Sequence, residues 1–253
     1  MNWIGLQTNT QREISRFLRV SIQTLVSPWI NAFLYIFIFG FVVGSRIDTI
    51  AGISYIEFVI PGIIMLNVIT SSFMQTSSSL YFGRFVRYIE ELLVSPLSML
   101  EIILSHVIAG VARGVMVGVG VYAIAILFGV AGIDHPFLFL LYAVSIALLF
   151  SFLGLIIGLW SDNFEQLSIV GTFVITPLTF LGGMFNSVTM LPPAMQQIVK
   201  ANPFFYFVDG FRYSMTGVQE ASLVTGALVI AGLVMGLGWL THHLFHIGWK
   251  IRE

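Results

Sequence analysis

The chain is dominated by long apolar runs with little polar sequence between them. An apolar helix of roughly 20 residues is long enough to cross the hydrocarbon core of a bilayer. Hydrophobic residues make up 57% of the chain and charged residues only 9%, too few to give each helix of a soluble protein a polar face. We therefore predict an all-α integral membrane protein with six transmembrane helices, at residues 22–44, 58–78, 102–130, 137–160, 167–185 and 223–245.

Several kinds of chemistry are excluded by residues that the chain lacks. There is no cysteine, so thiolate metal sites and cysteine nucleophiles are excluded. A phosphate-binding loop needs Gly-Lys followed by Ser or Thr, and Ala201 and Ile251 follow the two lysines, Lys200 and Lys250. A net charge of −1 gives no basis for nucleic-acid binding. His242 and His246 lie one helical turn apart without an evident third ligand, so we predict no metal site.

The basic residues are distributed unequally between the two sides of the predicted topology. An even number of spans puts both termini on one side of the membrane, and the side richer in Lys and Arg is usually cytoplasmic. We predict cytoplasmic termini. The predicted cytoplasmic segments contain Arg12, Arg16, Arg19, Arg84, Arg87, Lys250 and Arg252, whereas the opposite loops contain Arg46, Lys200 and Arg212.

The N-terminal segment 10–25 has the pattern of an amphipathic helix. Thr10 and Glu13 have the spacing of a capping box at a helix start. Apolar residues then fall on one face and arginines on the other. We predict an interfacial helix lying on the membrane surface. The apolar face comprises Ile14, Phe17, Leu18, Ile22 and Leu25, and the basic face Arg12, Arg16 and Arg19.

Segment 81–96 is predicted to form a second amphipathic helix, which Pro96 ends. Its charges, which include Arg84 and Arg87, are of mixed sign, whereas a helix that binds anionic lipid is usually basic. Mixed charge favours a protein partner, and a solvated connector resting on lipid stays open as an alternative. The residues that define this helix are Phe82, Phe85, Val86, Ile89, Glu90, Glu91, Leu92 and Leu93.

Segment 186–221 is too apolar for an ordinary solvated loop and is interrupted by prolines at 192, 193 and 203. Short helices that re-enter the outer leaflet fit this pattern best. Asp209 and Arg212 are three residues apart on the predicted helix, a spacing that allows them to pair near the outer mouth.

The third predicted span has two distinctive features. Gly110, Gly114 and Gly118 repeat every fourth residue, which creates a groove for close helix approach. Packing within the chain is the default interpretation, and a subunit interface is the alternative. Arg113 lies beside this groove, and either faces protein or extends to the inner interface.

Three motifs in this sequence resemble those of the type 2 permeases of ATP-binding-cassette exporters. They are residues 176–185 (TPLTFLGGMF) with Leu191-Pro192-Pro193, residues 202–213 (NPFFYFVDGFRY), and the cytoplasmic run 89–97 (IEELLVSPL). The resemblance covers almost the whole chain, so residues 1–253 are expected to form one transmembrane domain.

The resemblance implies a bacterial inner-membrane exporter in which two permease copies, expected to be a homodimer, form the substrate pathway. A separate ATPase subunit would bind ATP and Mg²⁺, so this chain would hold no cofactor and would not itself be an enzyme. Segment 81–96 would be the coupling helix that docks on the ATPase. The extracytoplasmic gate would comprise Pro192, Pro193, Asn202, Pro203, Tyr206, Asp209 and Arg212.

The residues by themselves leave two other classes of function possible. A secondary carrier or channel would work without ATP, but it would carry inward ionisable residues in several spans or inverted repeats, and neither is clear here. A membrane assembly factor would bind partners without substrate-stimulated ATP hydrolysis. The residues do not distinguish a drug, lipid or glycoconjugate substrate.

Overall fold

Six helices in the computed structural model, which describes residues 2–47, 49–130 and 132–251, are long and apolar enough to cross a membrane. The prediction of six spans in a helical membrane protein is therefore confirmed. The helices are α1 (Trp3–Arg19), α2 (Ile22–Val43), α3 (Tyr55–Phe85), α4 (Tyr88–Val94), α5 (Met99–Leu127), α6 (Pro136–Trp160), α7 (Phe164–Met184), α8 (Pro193–Ala201), α9 (Pro203–Thr216) and α10 (Leu223–Ile247), of which α2, α3, α5, α6, α7 and α10 are the six.

Helix α3 is longer than predicted at both ends. A capping box starts it early, because the Glu57 carboxylate accepts the Ser54 backbone N–H at 3.0 Å and the Ser54 hydroxyl accepts the Glu57 N–H at 3.4 Å. A two-residue hairpin, β1 (Thr49–Ile50) and β2 (Ile53–Ser54), precedes it. Ala51 and Gly52 form the turn with φ values of 53° and 87°, and positive φ at both central residues is typical of a tight hairpin.

Helix α1 begins seven residues before the predicted start, so the capping box proposed at Thr10 and Glu13 is wrong. Asn2 is the N-cap instead, and its side chain accepts the Gly5 N–H at 3.0 Å. Both Thr10 and Glu13 lie inside the helix. A Thr-x-x-Glu spacing occurs by chance in helices, and here a stronger cap upstream determines the start.

Helix α3 is the central element, and nearly all of its length is buried by its neighbours. Helices α5 and α6 approach it through glycines. A Cβ atom added at Gly118 would lie 2.8 Å from the Val68 side chain, and one at Gly158 would lie 2.8 Å from the Ser77 carbonyl oxygen. Small residues at such positions let helix backbones approach closely in a membrane. The glycine face of α5 therefore packs within the chain, on α3.

The two ends of the bundle differ in character. At the first end, an apolar cluster of Leu80, Ile89, Ile102, Phe245 and Ile251 joins α4 and the C-terminal segment to the ends of α3, α5 and α10. We call this the terminal end, since the start of α1 and the C-terminal segment up to Ile251 lie there. Helices α8 and α9 lie at the opposite end, which we call the distal end.

Gly154 on α6 provides a test of this packing. A Cβ atom there would lie 2.5 Å from the Phe73 carbonyl oxygen, a backbone atom of α3 that cannot rotate away. We expect Gly154→Ala to lower the free energy of unfolding by about 1–3 kcal/mol, the usual cost of overpacking. Gly232→Ala on α10 is the matched control because its Cβ would meet no atom within 4 Å. Thermal unfolding in detergent should separate the two variants, and equal midpoints would contradict the packing.

Candidate functional site

The segment predicted as one amphipathic helix at 81–96 is divided into two helices. Phe82 and Phe85 belong to the last turn of α3, and the chain then breaks at Arg87, which has a φ of 59°. This left-handed conformation is unusual for a residue other than glycine and cannot continue an α-helix. Helix α4 follows in a new direction, so the predicted apolar face does not form a single stripe.

The apolar residues of this segment serve two different purposes. Ile89 and Leu92 are buried against the ends of α3 and α5 and attach α4 to the bundle, with Leu93 packed beside them. Val94 is 87% exposed and Phe85 is 67% exposed. The exposed residues of the segment, which are free for a partner, are Phe82, Phe85, Val86, Arg87, Glu90, Glu91, Val94 and Pro96.

An aromatic patch extends this free surface towards the turn between α6 and α7. The Tyr81 ring lies 4.6 Å from the Phe164 ring, and the Phe85 ring lies 6.3 Å from it. Phe164 is half exposed at the start of α7. Arg84 donates to the carbonyl oxygens of Gly158 and Leu159, at 3.0 and 2.6 Å, at the end of α6. These contacts give the surface a fixed shape.

A buried acidic residue, Glu13, attaches α1 to the same end. Its side chain is 2% exposed and accepts hydrogen bonds from Ser79 at 2.5 Å and Arg12 at 2.7 Å. Arg16 lies at 3.1 Å and the His106 Nε2 at 4.0 Å. Burial raises the pKa of Glu13, but the charges of His106 and Arg16 and the two hydrogen bonds lower it more, to below its ordinary value. The carboxylate is therefore ionised at neutral pH.

Helix α1 consequently differs from a simple surface helix. Its protein-facing side includes the buried polar residues Asn9 and Glu13 as well as Leu6 and Phe17. The Asn9 side chain donates to the Ser105 hydroxyl at 2.5 Å. Polar contacts to α3 and α5 thus fix its position, because buried polar groups need partners.

Arg113 lies between α5, α3 and the start of α2. Its Nη1 donates to the Gln75 Oε1 at 3.3 Å, and its Nε donates to the Thr24 carbonyl oxygen at 3.4 Å. Among the described residues, no ion pair includes Arg113. The side chain therefore faces protein, one of the two orientations that the sequence allowed.

At the distal end, Asn202 joins three elements. It is the N-cap of α9, where its side-chain oxygen accepts the Phe204 N–H at 3.0 Å, and its amide donates to the Leu178 carbonyl of α7 at 2.6 Å. Pro203 follows at the first helical position, where a missing N–H costs nothing. Pro193 starts α8 in the same way, with Pro192 at the N-cap. The Tyr206 hydroxyl donates to the Lys200 carbonyl at 3.0 Å.

Arg212 is a fully buried cation on α9. Its Nη2 donates to the Gly183 carbonyl at 2.5 Å and its Nε to the Phe58 carbonyl at 3.2 Å. The guanidinium lies 3.6 Å over the Phe58 ring, and Glu220 lies 3.8 Å from its Nη1. One side chain therefore connects the start of α3, the end of α7 and the loop before α10.

The sequence suggested that Asp209 and Arg212 pair, but the structure gives them different partners. The Asp209 carboxylate accepts the backbone N–H groups of Glu220 and Ala221, at 2.8 and 2.9 Å. Glu220 is the residue that lies next to Arg212, and it also accepts from the Ser187 hydroxyl. Asp209 thus holds the loop in which the partner of Arg212 lies.

Sequence reasoning missed three of these residues: Glu13, assigned to a cap, and His106 and Glu220, given no role. The sequence did contain a signal that Glu13 has a buried polar partner. Asn67, Ser71, Gln75 and Ser79 repeat every fourth residue on α3, and all four are buried. A polar stripe on a span that is otherwise apolar indicates polar partners, and Glu13 and Arg113 are two of them.

The histidines near the end of α10 do not form a recognisable metal centre. The His242 and His246 rings lie 6.1 Å apart, and the His243 ring stacks on Trp239 at 5.6 Å. Within the described ranges, no three His, Asp or Glu side chains cluster in a way that would bind a metal ion.

Replacing Arg212 by lysine would keep the charge but remove the planar group that reaches several partners at once. We expect Arg212→Lys to lower the free energy of unfolding by about 2 kcal/mol, the size of hydrogen bonds to a charged group. Arg46→Lys, an exposed position on the predicted outer side, is the matched control. Denaturation in detergent would measure both variants, and a difference within error would contradict the bridging role of Arg212.

Comparison with known proteins identifies relatives of similar length. The chain is 45% identical over 231 residues to the inner membrane transport permease YadH of Escherichia coli K12, and the match covers 90% of each chain. It is 26% identical over 238 residues to nodulation protein J of Rhizobium leguminosarum bv. viciae, covering 91% of this chain and 89% of that protein. Nodulation protein J of Rhizobium meliloti is 25% identical over 240 residues, covering 92% and 89%.

The family-level comparison agrees with these relatives. Residues 5–216 match the ABC-2 type transporter family, a stretch that runs from α1 to the end of α9. It includes α4, the Glu13 network and Arg212, but ends before Glu220. The chain therefore belongs to the ABC-2 type transporter family.

Proposed function

We propose that this chain is the membrane-spanning permease of an ATP-driven exporter in the bacterial inner membrane, with ATP and Mg²⁺ bound by a separate ATPase subunit. Membership of the ABC-2 type transporter family supports an ATPase partner. The sequence has no Gly-Lys-Ser/Thr loop, which agrees with ATP hydrolysis by a separate subunit. The inner-membrane location follows the name of its relative YadH.

The observation that carries this proposal is the free surface of segment 81–96, formed by the last turn of α3 and by α4, at the terminal end. The fold buries Ile89 and Leu92, yet leaves Phe85 and Val94 largely exposed beside Glu90 and Glu91. Exposed apolar side chains next to charges are typical of a protein interface. This surface is the proposed docking site for the ATPase. Phe164 lies beside Phe85 and is proposed as part of it.

The distribution of basic residues supports a cytoplasmic terminal end. Arg84, Arg87 and Lys250 lie there with the three arginines of α1. Arg46 and Lys200 are exposed on the opposite side, and Arg212 is buried, so it does not add to the surface charge there. Arg252 lies outside the described residues. By the positive-inside rule, both termini are proposed to be cytoplasmic.

Two copies of the chain are proposed to form the substrate pathway between them, with α9 and its neighbours closing the outer end. Within one copy, α3 fills the centre of the bundle and is almost wholly buried. Helices α2 and α10 expose most of their apolar surface, which lipid or a second copy can cover. Pro192, Pro193, Asn202, Pro203, Tyr206, Asp209 and Arg212 remain the proposed gate residues.

A substitution on the free surface tests the docking role without disturbing the bundle. Val94→Asp places a charge on a side chain that is 87% exposed, whereas Ile89→Asp would bury one and damage the fold. We expect Val94→Asp to weaken co-purification of the ATPase by about tenfold, since losing an apolar interface contact costs ~1.4 kcal/mol or more. Quantitative pull-down from native membranes in mild detergent measures this.

The matched control is Ile198→Asp, an exposed apolar position on α8 at the distal end. It should leave the ATPase bound. If Val94→Asp retained the ATPase as well as Ile198→Asp does, α4 would not be the docking site. If the unmodified chain came out of several detergents without any ATPase, the exporter proposal would fail.

The orientation of the chain in the membrane can be measured by labelling single introduced cysteines, because the chain has no cysteine of its own. Single substitutions Glu165→Cys, at the terminal end, and Lys200→Cys, at the distal end, are both exposed. A membrane-impermeant maleimide should label Lys200→Cys in intact spheroplasts and Glu165→Cys only after permeabilisation. The reverse pattern would place the termini outside.

A further inference from the structure

A cavity of about 560 Å³ lies between α1, α4 and the end of α3. It falls within the size range of small-molecule sites, ~300–1,000 Å³. One wall is apolar and is formed by Leu80, Phe82, Val86, Ile89 and Leu92. The other wall comes from α1. The cavity therefore has an apolar side and a polar side that face each other.

The polar side is strongly basic. Arg12, Arg16 and Arg19 line it, and the carboxylate of Glu13 is the one acidic group among the lining residues. That carboxylate already accepts hydrogen bonds from Ser79 and Arg12. The buried His106 ring lies 4.0 Å from it and adds no negative charge. Three guanidinium groups against one carboxylate leave an excess of positive charge.

The three arginines are engaged to different degrees. Arg12 and Arg16 contact Glu13, and the Arg12 guanidinium also lies 3.9 Å from the centre of the Tyr88 ring on α4. Arg19 is exposed, and none of the ion pairs within the described ranges includes it. The cavity thus contains a cation that is available to a ligand.

We propose that this cavity binds an anionic phosphate group, with the headgroup of an anionic phospholipid as its source. Guanidinium groups suit phosphate because they present several N–H donors in a fixed plane. A phospholipid also has an apolar portion that matches the exposed side chains of Phe82 and Val86 on the apolar wall.

An occupant here would contact both α1 and α4. Arg12 and Arg16 belong to α1, whereas Tyr88, Ile89 and Leu92 belong to α4. A bound headgroup would therefore hold α4 in its position relative to α1. The site can be tested on the permease alone, although Phe82 and Val86 belong both to the cavity wall and to the proposed docking surface.

Gly83 gives a way to fill the cavity without touching a charged group. It lines the cavity, and a Cβ atom added there would meet no other atom within 4 Å. Gly83→Leu should therefore be accommodated by the fold while its side chain occupies the space. Gly232→Leu on α10 is the matched control, because that position is also open but lies away from the cavity.

The experiment titrates the purified full-length chain in detergent with phosphatidylglycerol or phosphatidylcholine and counts bound lipid by native mass spectrometry. We expect tighter binding of phosphatidylglycerol. Arg19→Gln should weaken it about fivefold, since one basic residue near an anionic lipid surface contributes ~1 kcal/mol. Gly83→Leu should weaken it at least as much. Arg46→Gln and Gly232→Leu should leave it unchanged.

A second titration with inorganic phosphate alone distinguishes the source of the anion. If the chain binds inorganic phosphate and Gly83→Leu abolishes that binding, the site is supported and a soluble phosphate is sufficient to occupy it. Binding of phosphatidylglycerol without phosphate binding would support the lipid headgroup. Equal binding of the two lipids, or equal loss in the cavity variants and their controls, would overturn the proposal. So would an unchanged lipid affinity in Gly83→Leu.

Discussion

The close approach of α5 and α6 to α3 is the constraint on which the rest of this structure depends. In a membrane, apolar side chains gain little by leaving lipid, so helices associate through tight packing and hydrogen bonds. Gly114 on α5 and Gly154 on α6 bring backbones to distances at which a Cβ atom would collide with α3. Ser and Thr side chains of α3, such as Thr76, donate hydrogen bonds to the backbone of their own helix. They therefore project little from α3, which lets the neighbouring helices approach. As a result α3 is enclosed, and the other helices are arranged around it.

Each end of this core is then fixed by one buried charge with partners from several elements. Glu13 connects α1 to α3 at the terminal end, and Arg212 connects α9 to α3 and α7 at the distal end. Burying a charge is costly unless it is paired and hydrogen bonded, so each network tolerates few alternative arrangements. The segments that carry the proposed docking surface and the proposed gate are thereby attached to the same central helix. If the docking surface or the gate segment moved, either α3 or the loops next to α3 would have to move with it.

The sequence predicted the six spans, the positions of most span boundaries to within a few residues, and the family. It did so because hydropathy over 20 residues is a strong local signal and because the motifs at 89–97 and 202–213 are long. It was wrong about the start of α1 and the continuity of segment 81–96. Val86 and Arg87 separate α3 from α4, and the break depends on the positive φ of Arg87, which the spacing of apolar residues does not reveal. Among the site residues, Ile89 and Phe85 have the same pattern in sequence, yet one is buried and the other exposed.

The sequence by itself therefore determined which segments cross the membrane and that the chain contains no phosphate-binding loop, because both depend only on residue types along the chain. Tertiary structure alone decided the partners of the buried charges. Arg212 lies next to Glu220 rather than Asp209. Glu13 accepts a hydrogen bond from Ser79 rather than capping its own helix. These outcomes depend on contacts between residues far apart in sequence, where the cost of desolvating a charge selects the partner. Local spacing can indicate that a buried polar contact exists, as the polar stripe of α3 does, but not which distant residue makes it.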